Sequence, residues 1–168
     1  MKIRDASKEE REEIRRQRVD AYKEHADKIP EAHWEALKQV ITSEADNLPG
    51  VELIVAEEEG DLLGSVALFP AKTDAYEGHV EELDYPEIRL LAVVPFAQGK
   101  GVASHLITEC IRRTKEKGYD SIGLHTGEFM KGALKLYERF GFERQPQYDF
   151  EPADDGIIVK AYRLKLTD

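Results

Sequence analysis

The stretch from Glu87 to Ser104 reads EIRLLAVVPFAQGKGVAS and combines an apolar segment, a glycine-rich turn and a helical pattern. The apolar segment is typical of a strand that is covered on both faces. Gly99 and Gly101 then let the backbone turn tightly, and the apolar residues that follow recur at helical spacing. The first N–H groups of such a helix lack partners within it and bind anions. We therefore predict a strand, a phosphate-binding turn and a helix.

Two other phosphate-binding motifs do not fit this turn. The triphosphate-binding loop needs Gly-x-x-x-x-Gly-Lys-Ser/Thr, and that spacing is absent from the sequence. The dinucleotide fingerprint needs a third glycine where this chain has Ser104. The acidic residue of that fingerprint should lie at the far end of the next strand, whereas Asp120 lies at the start of the predicted strand. The sequence therefore does not favour a nicotinamide or flavin cofactor.

The segments on both sides of this unit predict an α/β fold. The remaining predicted strands are 1–5, 51–57, 62–69, 119–125, 142–150 and 157–166, and the remaining helices are 7–22, 30–44 and 130–140. We expect a mixed, largely antiparallel sheet of seven strands, flanked by about four helices, with a central βαβ unit. No Pro/Gly/Ser-rich linker divides the sequence, so residues 1–168 are expected to form one domain.

The composition argues against several classes of protein. The chain has 34 acidic and 24 basic residues, whereas a nucleic-acid-binding protein needs a basic surface. Its longest apolar run, Leu90–Ala97, is much shorter than the roughly 20 residues that span a bilayer. The N-terminal residues lack the apolar segment of a secretory signal, and Cys110 is the only cysteine. We expect a cytoplasmic protein with no nucleic-acid or membrane partner, and no metal, since no His/Asp/Glu set has ligand spacing.

Two blocks of the sequence resemble the GCN5-related N-acetyltransferase (GNAT) family. Gln98–Ala103 is similar to that family's Gln/Arg-x-x-Gly-x-Gly/Ala signature for acetyl-CoA, and Ala133–Phe142 to its Ala-x-x-Leu-Tyr-x-x-x-Gly-Phe block. The order of the predicted elements also matches over essentially the whole chain. Many relatives have asparagine where this chain has Met130, so a cofactor contact from that asparagine does not carry over.

The resemblance implies an enzyme that uses acetyl-CoA as co-substrate. The pyrophosphate would bind the backbone N–H groups of the loop and first helical turn, which are those of Gln98, Gly99, Lys100, Gly101, Val102, Ala103 and Ser104. The pantetheine arm would pair with backbone groups around Ala92 and Val93, where their strand splays from the one that contains Leu124. The net charge of +3 over residues 95–145 suits an anionic ligand.

The resemblance also implies two catalytic residues. Glu87 stands where some relatives carry the general base, which takes the proton that an ammonium group must lose before it can attack. Tyr137 stands at the usual position of the general acid, which protonates the departing thiolate. For Glu87 the alternatives are a solvated residue at the strand end or an ion-pair partner for Arg89. In either case an ordered water would act as the general base instead. For Tyr137 the alternative is a core aromatic residue.

Several further residues are weaker candidates. Cys110 lies in an apolar helix stripe, so we predict that it packs in the core rather than acting as a nucleophile. His125 ends a predicted strand near the expected cleft, where a structural role competes with a role in the site. The family resemblance implies acceptor recognition around the first two helices, and the acidic loop adds two candidates; together these are Tyr22, His25, His33, Trp34, Tyr76 and His79.

The acceptor is the least explicit part of the sequence. We expect direct acetyl transfer, in a ternary complex, to the primary amine of a small molecule. Residues 51–86 carry ten acidic and one basic side chain, which favours a cationic amine. A protein or peptide acceptor and a non-catalytic CoA-binding sensor or scaffold are the alternatives, and a homodimer is left open.

Overall fold

Seven strands form one sheet in the computed structural model, which describes residues 1–72 and 83–166. In chain order they are β1 (Lys2–Asp5), β2 (Glu52–Glu58), β3 (Asp61–Phe69), β4 (Glu87–Val93), β5 (Ser121–Gly127), β6 (Glu143–Arg144) and β7 (Val159–Lys165). Their spatial order is β1-β2-β3-β4-β5-β7-β6. All neighbouring strands are antiparallel except β4 and β5. The predicted mixed sheet with a central βαβ unit is therefore confirmed.

Four α-helices cover the two faces of the sheet within the described residues. They are α1 (Arg11–Tyr22), α2 (Glu31–Ile41), α3 (Val102–Glu116) and α4 (Lys131–Phe140). One apolar cluster joins α1 and α2 to the sheet, and we call this side the α1/α2 face. The other cluster joins α3 and α4 to the opposite side, which we call the α3/α4 face. The sheet is thus buried on both sides, as the apolar strands predict.

The predicted helices 7–22 and 30–44 and the predicted strands 51–57 and 62–69 are confirmed with small shifts. The Ser7 N–H donates to Glu10 Oε1 at 2.8 Å, but a 3₁₀ turn over Lys8–Glu10 precedes α1. The second helix ends at Ile41, three residues before the predicted end at Glu44. Glu59 and Gly60 turn the β2–β3 hairpin with φ angles of 52° and 87°, the left-handed conformation that two-residue hairpins favour.

The strand predicted over residues 142–150 is wrong. Only Glu143–Arg144 pairs as a strand, and residues Pro146–Tyr148 form a 3₁₀ turn. Pro146 has no N–H to donate to a strand partner, so the ladder stops there. Phe150 then makes a single bridge to Val159. The strand predicted over 119–125 also shifts, since β5 runs from Ser121 to Gly127.

Candidate active site

A gap between β4 and β5 opens in the middle of the sheet. The two strands pair only through Glu87 with Gly123 and Ile88 with Leu124 in the described part of the chain. Beyond these pairs β4 continues to Val93 without a ladder to β5. Backbone groups on the facing edges are therefore available to a ligand. The splay expected from the sequence is present.

A β-bulge at Leu90 accompanies the opening. Ser65 faces Ala92 and Ala67 faces Arg89, so β4 has one residue more than β3 between these pairs. Leu90 takes up the extra residue with a φ of 59°, a conformation that side chains other than glycine rarely adopt. Because a bulge bends its strand and increases the twist, it turns β4 away from β5.

The glycine-rich loop lies just beyond the Val93 end of the gap. Gly99 and Gly101 have φ angles of 80° and 84°, and a Cβ on Gly99 would meet nothing within 4 Å. Helix α3 starts directly after Gly101, and its first internal bond runs from the His105 N–H to the Gly101 carbonyl at 3.1 Å. The N–H groups of the first turn, from Val102 to Ser104, precede that bond and are free for an anion.

Close packing holds α3 in this position. A Cβ on Gly64 would lie 2.8 Å from the Ala92 carbonyl oxygen and 3.0 Å from Val102 Cγ1, so only glycine fits between the strands and the helix. Gln98 folds back towards the end of β4, with Nε2 at 3.5 Å from the Val93 carbonyl oxygen. The N-terminus of α3 therefore points at the mouth of the gap. An exposed anion-binding turn followed by a slot with open backbone groups fits a pyrophosphate with an amide-containing arm.

Glu87 is buried and bonded to His125. The Glu87 residue is 6% exposed, and its Oε2 lies 2.8 Å from His125 Nδ1. The pair forms because β4 and β5 are parallel at this point. Glu87 lies opposite Gly123, so His125, two residues further on, projects from the same side of the sheet. The alternative interpretation of Glu87 as a solvated strand end is therefore wrong. Arg89 lies over the Phe69 ring, 4.9 Å from its centroid.

Tyr85 packs against β5 beside the pair of Glu87 and His125. A Cβ on Gly123 would lie 2.4 Å from Tyr85 Cε2, so the glycine gives the ring its place against β5. Burial and the neighbouring Glu87 carboxylate raise the pKa of Tyr85 to about 12. This phenol consequently stays neutral over the physiological pH range.

Tyr137 and Tyr22 are buried in the cores on opposite faces of the sheet. Tyr137 belongs to the core of the α3/α4 face and Tyr22 to that of the α1/α2 face. Burial raises the pKa of each phenol, and the Tyr22 phenol adds to the rise for Tyr137. Tyr137 also packs edge-on against Phe142, with ring centroids 5.8 Å apart. Its ring is thus a core residue, as the alternative interpretation expected, and burial keeps its hydroxyl neutral.

Aromatic rings gather around Phe129, just after the end of β5. Phe129 packs against the imidazoles of His25 and His33, with centroids 5.7 and 5.8 Å away. His33 Nδ1 lies 2.7 Å from Asp155 Oδ2, which ties α2 to the segment between β6 and β7. Two of the residues expected to recognise the acceptor therefore lie together. Trp34 packs with the same apolar cluster as Tyr22.

Cys110 and Met130, two residues singled out in the sequence, are held by packing and by the start of a helix. Cys110 is fully buried, and burial raises the pKa of its thiol to about 12, which confirms the packing prediction. Met130 occupies the N-cap position of α4, and its sulfur lies 3.6 Å from Thr126 Oγ1. Tyr76 and His79, with most of the acidic loop, lie outside the described residues.

Sequence reasoning missed the contact between Glu87 and His125 and the bulge at Leu90. The contact could have been predicted, since the two residues lie on neighbouring parallel strands and their side chains project from the same face of the sheet. The bulge gives no signal in the sequence, because a leucine with positive φ is held there by tertiary packing alone.

Comparison with known proteins decides the family. The acetyltransferase (GNAT) family matches residues 10–142. The chain belongs to the GNAT family. Its predicted membership is therefore confirmed over most of the sequence, including the glycine-rich loop and the block that contains Tyr137.

Individual GNAT relatives match over part of their length. The uncharacterized N-acetyltransferase YjgM of Escherichia coli is 32% identical over 95 residues, which are 56% of this chain and 53% of that protein. The N-alpha-acetyltransferase MAK3 of Arabidopsis thaliana is 40% identical over 82 residues, which are 47% and 40% of the two chains. The chain thus spans about half the length of these curated relatives.

Solved GNAT structures share the whole fold. An acetyltransferase of Staphylococcus aureus superposes with a TM-score of 0.71 at 16% identity and covers 99% of both chains. The yncA protein of Salmonella typhimurium, solved with acetyl-CoA, has a TM-score of 0.64 at 20% identity and covers 100% of this chain and 95% of its own. Among the described residues of this chain, no helix is both long and apolar enough to cross a membrane.

Proposed function

We propose that this GNAT protein transfers the acetyl group of acetyl-CoA to the primary amine of a small molecule. The observation that carries the proposal is the gap between β4 and β5, which runs from the glycine-rich loop towards Glu87. The loop offers N–H groups to a pyrophosphate, and the gap offers open strand edges to a pantetheine arm. When bound, acetyl-CoA would supply the reactive thioester.

Glu87 and Tyr137 take the two proton-transfer roles in this proposal. Glu87 lies buried on the α1/α2 face, which carries the aromatic residues suited to an acceptor. It takes the proton of the ammonium group, so that the amine lone pair can attack the thioester carbonyl. Tyr137 donates a proton to the thiolate that leaves, and burial keeps its phenol protonated.

Direct attack in a ternary complex agrees with the chemistry of the chain. A route through an acylated cysteine would need a reactive thiolate. Cys110 is the only cysteine, and it is buried with a pKa of about 12. We therefore expect initial rates that depend on both substrates together, with intersecting rather than parallel lines in double-reciprocal plots.

A protein N-terminus is the second candidate acceptor. The 40% identity to the Arabidopsis N-alpha-acetyltransferase MAK3 favours it, over the 82 residues matched. An open groove would serve such a peptide, whereas the residues between Pro70 and Pro86 are numerous enough to cover a small acceptor.

An amine screen tests the proposed function. The purified chain is incubated with acetyl-CoA and a panel of small amines and N-terminal peptides, and thiol release and acetylated product are measured. We expect amine-dependent release that falls by about 10²–10⁴ in Glu87→Gln. The exposed Glu143→Gln is the matched control and should keep wild-type rates.

Two results would contradict parts of the proposal. Calorimetric binding of CoA with no amine-dependent thiol release would favour the sensor or scaffold. Turnover of peptides alone would replace the small-molecule acceptor with a protein N-terminus.

A further inference from the structure

We propose that the proton acceptor of this site is the pair formed by Glu87 and His125, which takes up one proton as a unit. The inference rests on the proposed function and adds a positioning residue to it. His125 does not touch the substrate in this account. It holds the carboxyl group and shares the proton that this group has taken.

The imidazole of His125 is held at both nitrogens. Its Nδ1 lies 2.8 Å from Glu87 Oε2, and its Nε2 lies 3.0 Å from the Tyr148 carbonyl oxygen. The His125 and Glu87 side chains are only 1% and 8% exposed. Phe150 packs against the ring, with centroids 5.6 Å apart. The ring therefore has no room to turn away from the carboxyl group.

These contacts fix the number of protons in the pair. The Tyr148 carbonyl oxygen can only accept, so Nε2 must carry a hydrogen for its contact to be a hydrogen bond. Nδ1 and Glu87 Oε2 then need one further hydrogen between them, on either atom. Both contacts are satisfied when the pair holds two protons and has no net charge, whether as carboxylate with imidazolium or as carboxylic acid with imidazole.

Loss of one proton breaks one of the two bonds. If Nε2 keeps its hydrogen, the bare Nδ1 faces a carboxylate oxygen. If Nδ1 takes it, the bare Nε2 faces the Tyr148 carbonyl oxygen. Either arrangement leaves two hydrogen-bond acceptors facing each other in the protein interior, which raises the free energy of the deprotonated pair. The geometry thus favours uptake of a proton by the deprotonated pair.

This preference is what a general base needs. The deprotonated pair has a charge of −1 and the bound ammonium group a charge of +1. One N–H bond of the ammonium breaks, its proton goes to the Glu87 carboxyl, and the electron pair stays on the amine nitrogen. The pair is then neutral with both imidazole contacts restored, and the amine is free to attack.

The other charged and titratable groups near the pair do not obscure this titration. Burial opposes the ionisation of Asp149, but the Arg144 guanidinium and the Ala161 N–H outweigh it, so its pKa is lowered. Tyr85, with a pKa of about 12, is neutral throughout the working range. Glu87, Tyr148, Arg163 and Asp84 act electrostatically on the neighbouring Tyr85. Arg89 lies over the Phe69 ring.

The pH dependence of kcat/KM separates a shared proton from a purely structural histidine. In His125→Asn an amide N–H can still donate to the Glu87 carboxylate, but it cannot carry the proton. We expect the acid limb of the profile to move down by about one pH unit or more, because the amide N–H donates a stronger hydrogen bond to the ionised carboxylate than to the protonated carboxyl group. CoA affinity should stay unchanged, which shows that the fold and the loop are intact. An acid limb at the wild-type pH would overturn the proposal.

The double variant tests whether the two residues act as a unit. Glu87→Gln removes the carboxylate, so nothing remains for His125 to share. We expect Glu87→Gln/His125→Asn to be no slower than Glu87→Gln alone. Multiplied losses would mean that His125 acts independently, and the proposal would be wrong.

Nitrogen NMR of the imidazole decides the question without any activity. In the wild-type protein, His125 Nε2 should carry its hydrogen at every pH up to the acid limb of the kcat/KM profile, and its Nδ1 signal should titrate only while Glu87 is present. A bare Nε2, or a titration unchanged in Glu87→Gln, would overturn the inference. Absence of acetyl transfer in the wild type would instead contradict the proposed function, and the NMR result would still stand.

Discussion

Single residues decide the geometry of this site in ways that depend on their neighbours. Leu90 adopts a positive φ, and from this residue onward the side chains of β4 switch to the opposite faces of the sheet. Ile88, before the bulge, packs with the core of the α3/α4 face, whereas Leu90 and Ala92 pack with that of the α1/α2 face. In a regular strand these three side chains would share one face. The bulge therefore moves Leu90 and Ala92 to the opposite face of the sheet from Ile88.

Removal of the Tyr137 hydroxyl tests the proposed proton donor. Tyr137→Phe keeps the ring that packs against Phe142, so stability should change little. We expect kcat to fall by at least about tenfold, while calorimetric CoA affinity is nearly unchanged, because a donor to the leaving group acts mainly in the transition state.

Tyr119→Phe is the control for this change, since Tyr119 is 37% exposed beyond the C-terminus of α3. Its kcat should equal that of the wild type. If Tyr137→Phe also keeps the wild-type kcat, Tyr137 is a packing residue and another group protonates the thiolate.

At the scale of elements, the loop before α3 carries the proposed cofactor site. Gly101→Asp would place a negative side chain beside the first-turn N–H groups, where a Cβ comes no closer than 3.7 Å to His105. The substitution therefore fits sterically but repels a pyrophosphate. We expect CoA affinity to fall at least tenfold, about 1.4 kcal/mol, as measured by calorimetry.

Gly60→Asp controls for the backbone strain of that substitution. Gly60 has a φ of 87°, close to the 84° of Gly101, and also has open space around it. It lies in the β2–β3 hairpin, so its aspartate should cost similar stability without a loss of CoA affinity. Equal CoA affinity in the two variants would remove the loop from the cofactor site.

A buried ion pair joins α1 to the turn after α2. Arg18 and Asp46 are both fully buried at their side chains, with Nη1 2.8 Å from Oδ2, and Arg15 adds a second contact at 2.7 Å. Burial opposes the ionisation of Asp46, but the two guanidinium groups outweigh it and lower its pKa. The pair thus holds α1, with Tyr22 at its end, against the sheet.

Asp46→Asn would leave the Arg18 guanidinium buried without its counter-charge. We expect the free energy of unfolding to fall by about 3–5 kcal/mol in urea titrations, because breaking a buried pair strands one charge. Exposed Glu44→Gln should change it by less than about 0.5 kcal/mol. A loss as small as the control's would show that water solvates Arg18.

The same pair makes a prediction for pH. A carboxyl group whose pKa is lowered in the folded state stabilises the fold above its unfolded value of about 3.9. That contribution is lost as the pH falls further, through the folded pKa. The wild type should therefore lose more stability than Asp46→Asn between about pH 5 and pH 2. Parallel losses in the two proteins would contradict the direction of the shift.

The whole molecule distributes its negative charge less simply than the sequence indicates. The hairpin acids around Glu59 lie at the Val93 end of the sheet, because Gly64 pairs with Val93. Glu52 is engaged by Arg113 and Lys117, and Glu57 by Arg4. The remaining acids of the segment belong mainly to residues 73–82, outside the described part of the chain.

A cationic acceptor therefore remains a prediction that depends on the loop after β3. We expect a higher kcat/KM for cationic amines than for matched anionic ones, and a smaller ratio at higher salt. Exposed charges are screened beyond ~10 Å at 0.1 M salt, so the preference should be modest. Measurement at two salt concentrations tests it, and equal values at low salt would show that the acidic segment does not select the acceptor.

The sequence by itself determined the order of the elements and the place of the anion-binding turn. Apolar periodicity, Gly99 and Gly101 act within a few residues, so they are readable along the chain. The strand predicted over 142–150 failed because local β propensity was outweighed at Pro146. The GNAT resemblance added the roles of Glu87 and Tyr137, which periodicity could not supply.

Only the tertiary structure decided what surrounds those residues. The bond between Glu87 and His125 depends on the register of two strands that are 38 residues apart in the sequence. The bulge at Leu90 depends on the pairing of β4 with β3, which joins distant parts of the chain. Contacts of this kind join distant parts of the chain, and their geometry exists only once strands and helices have packed.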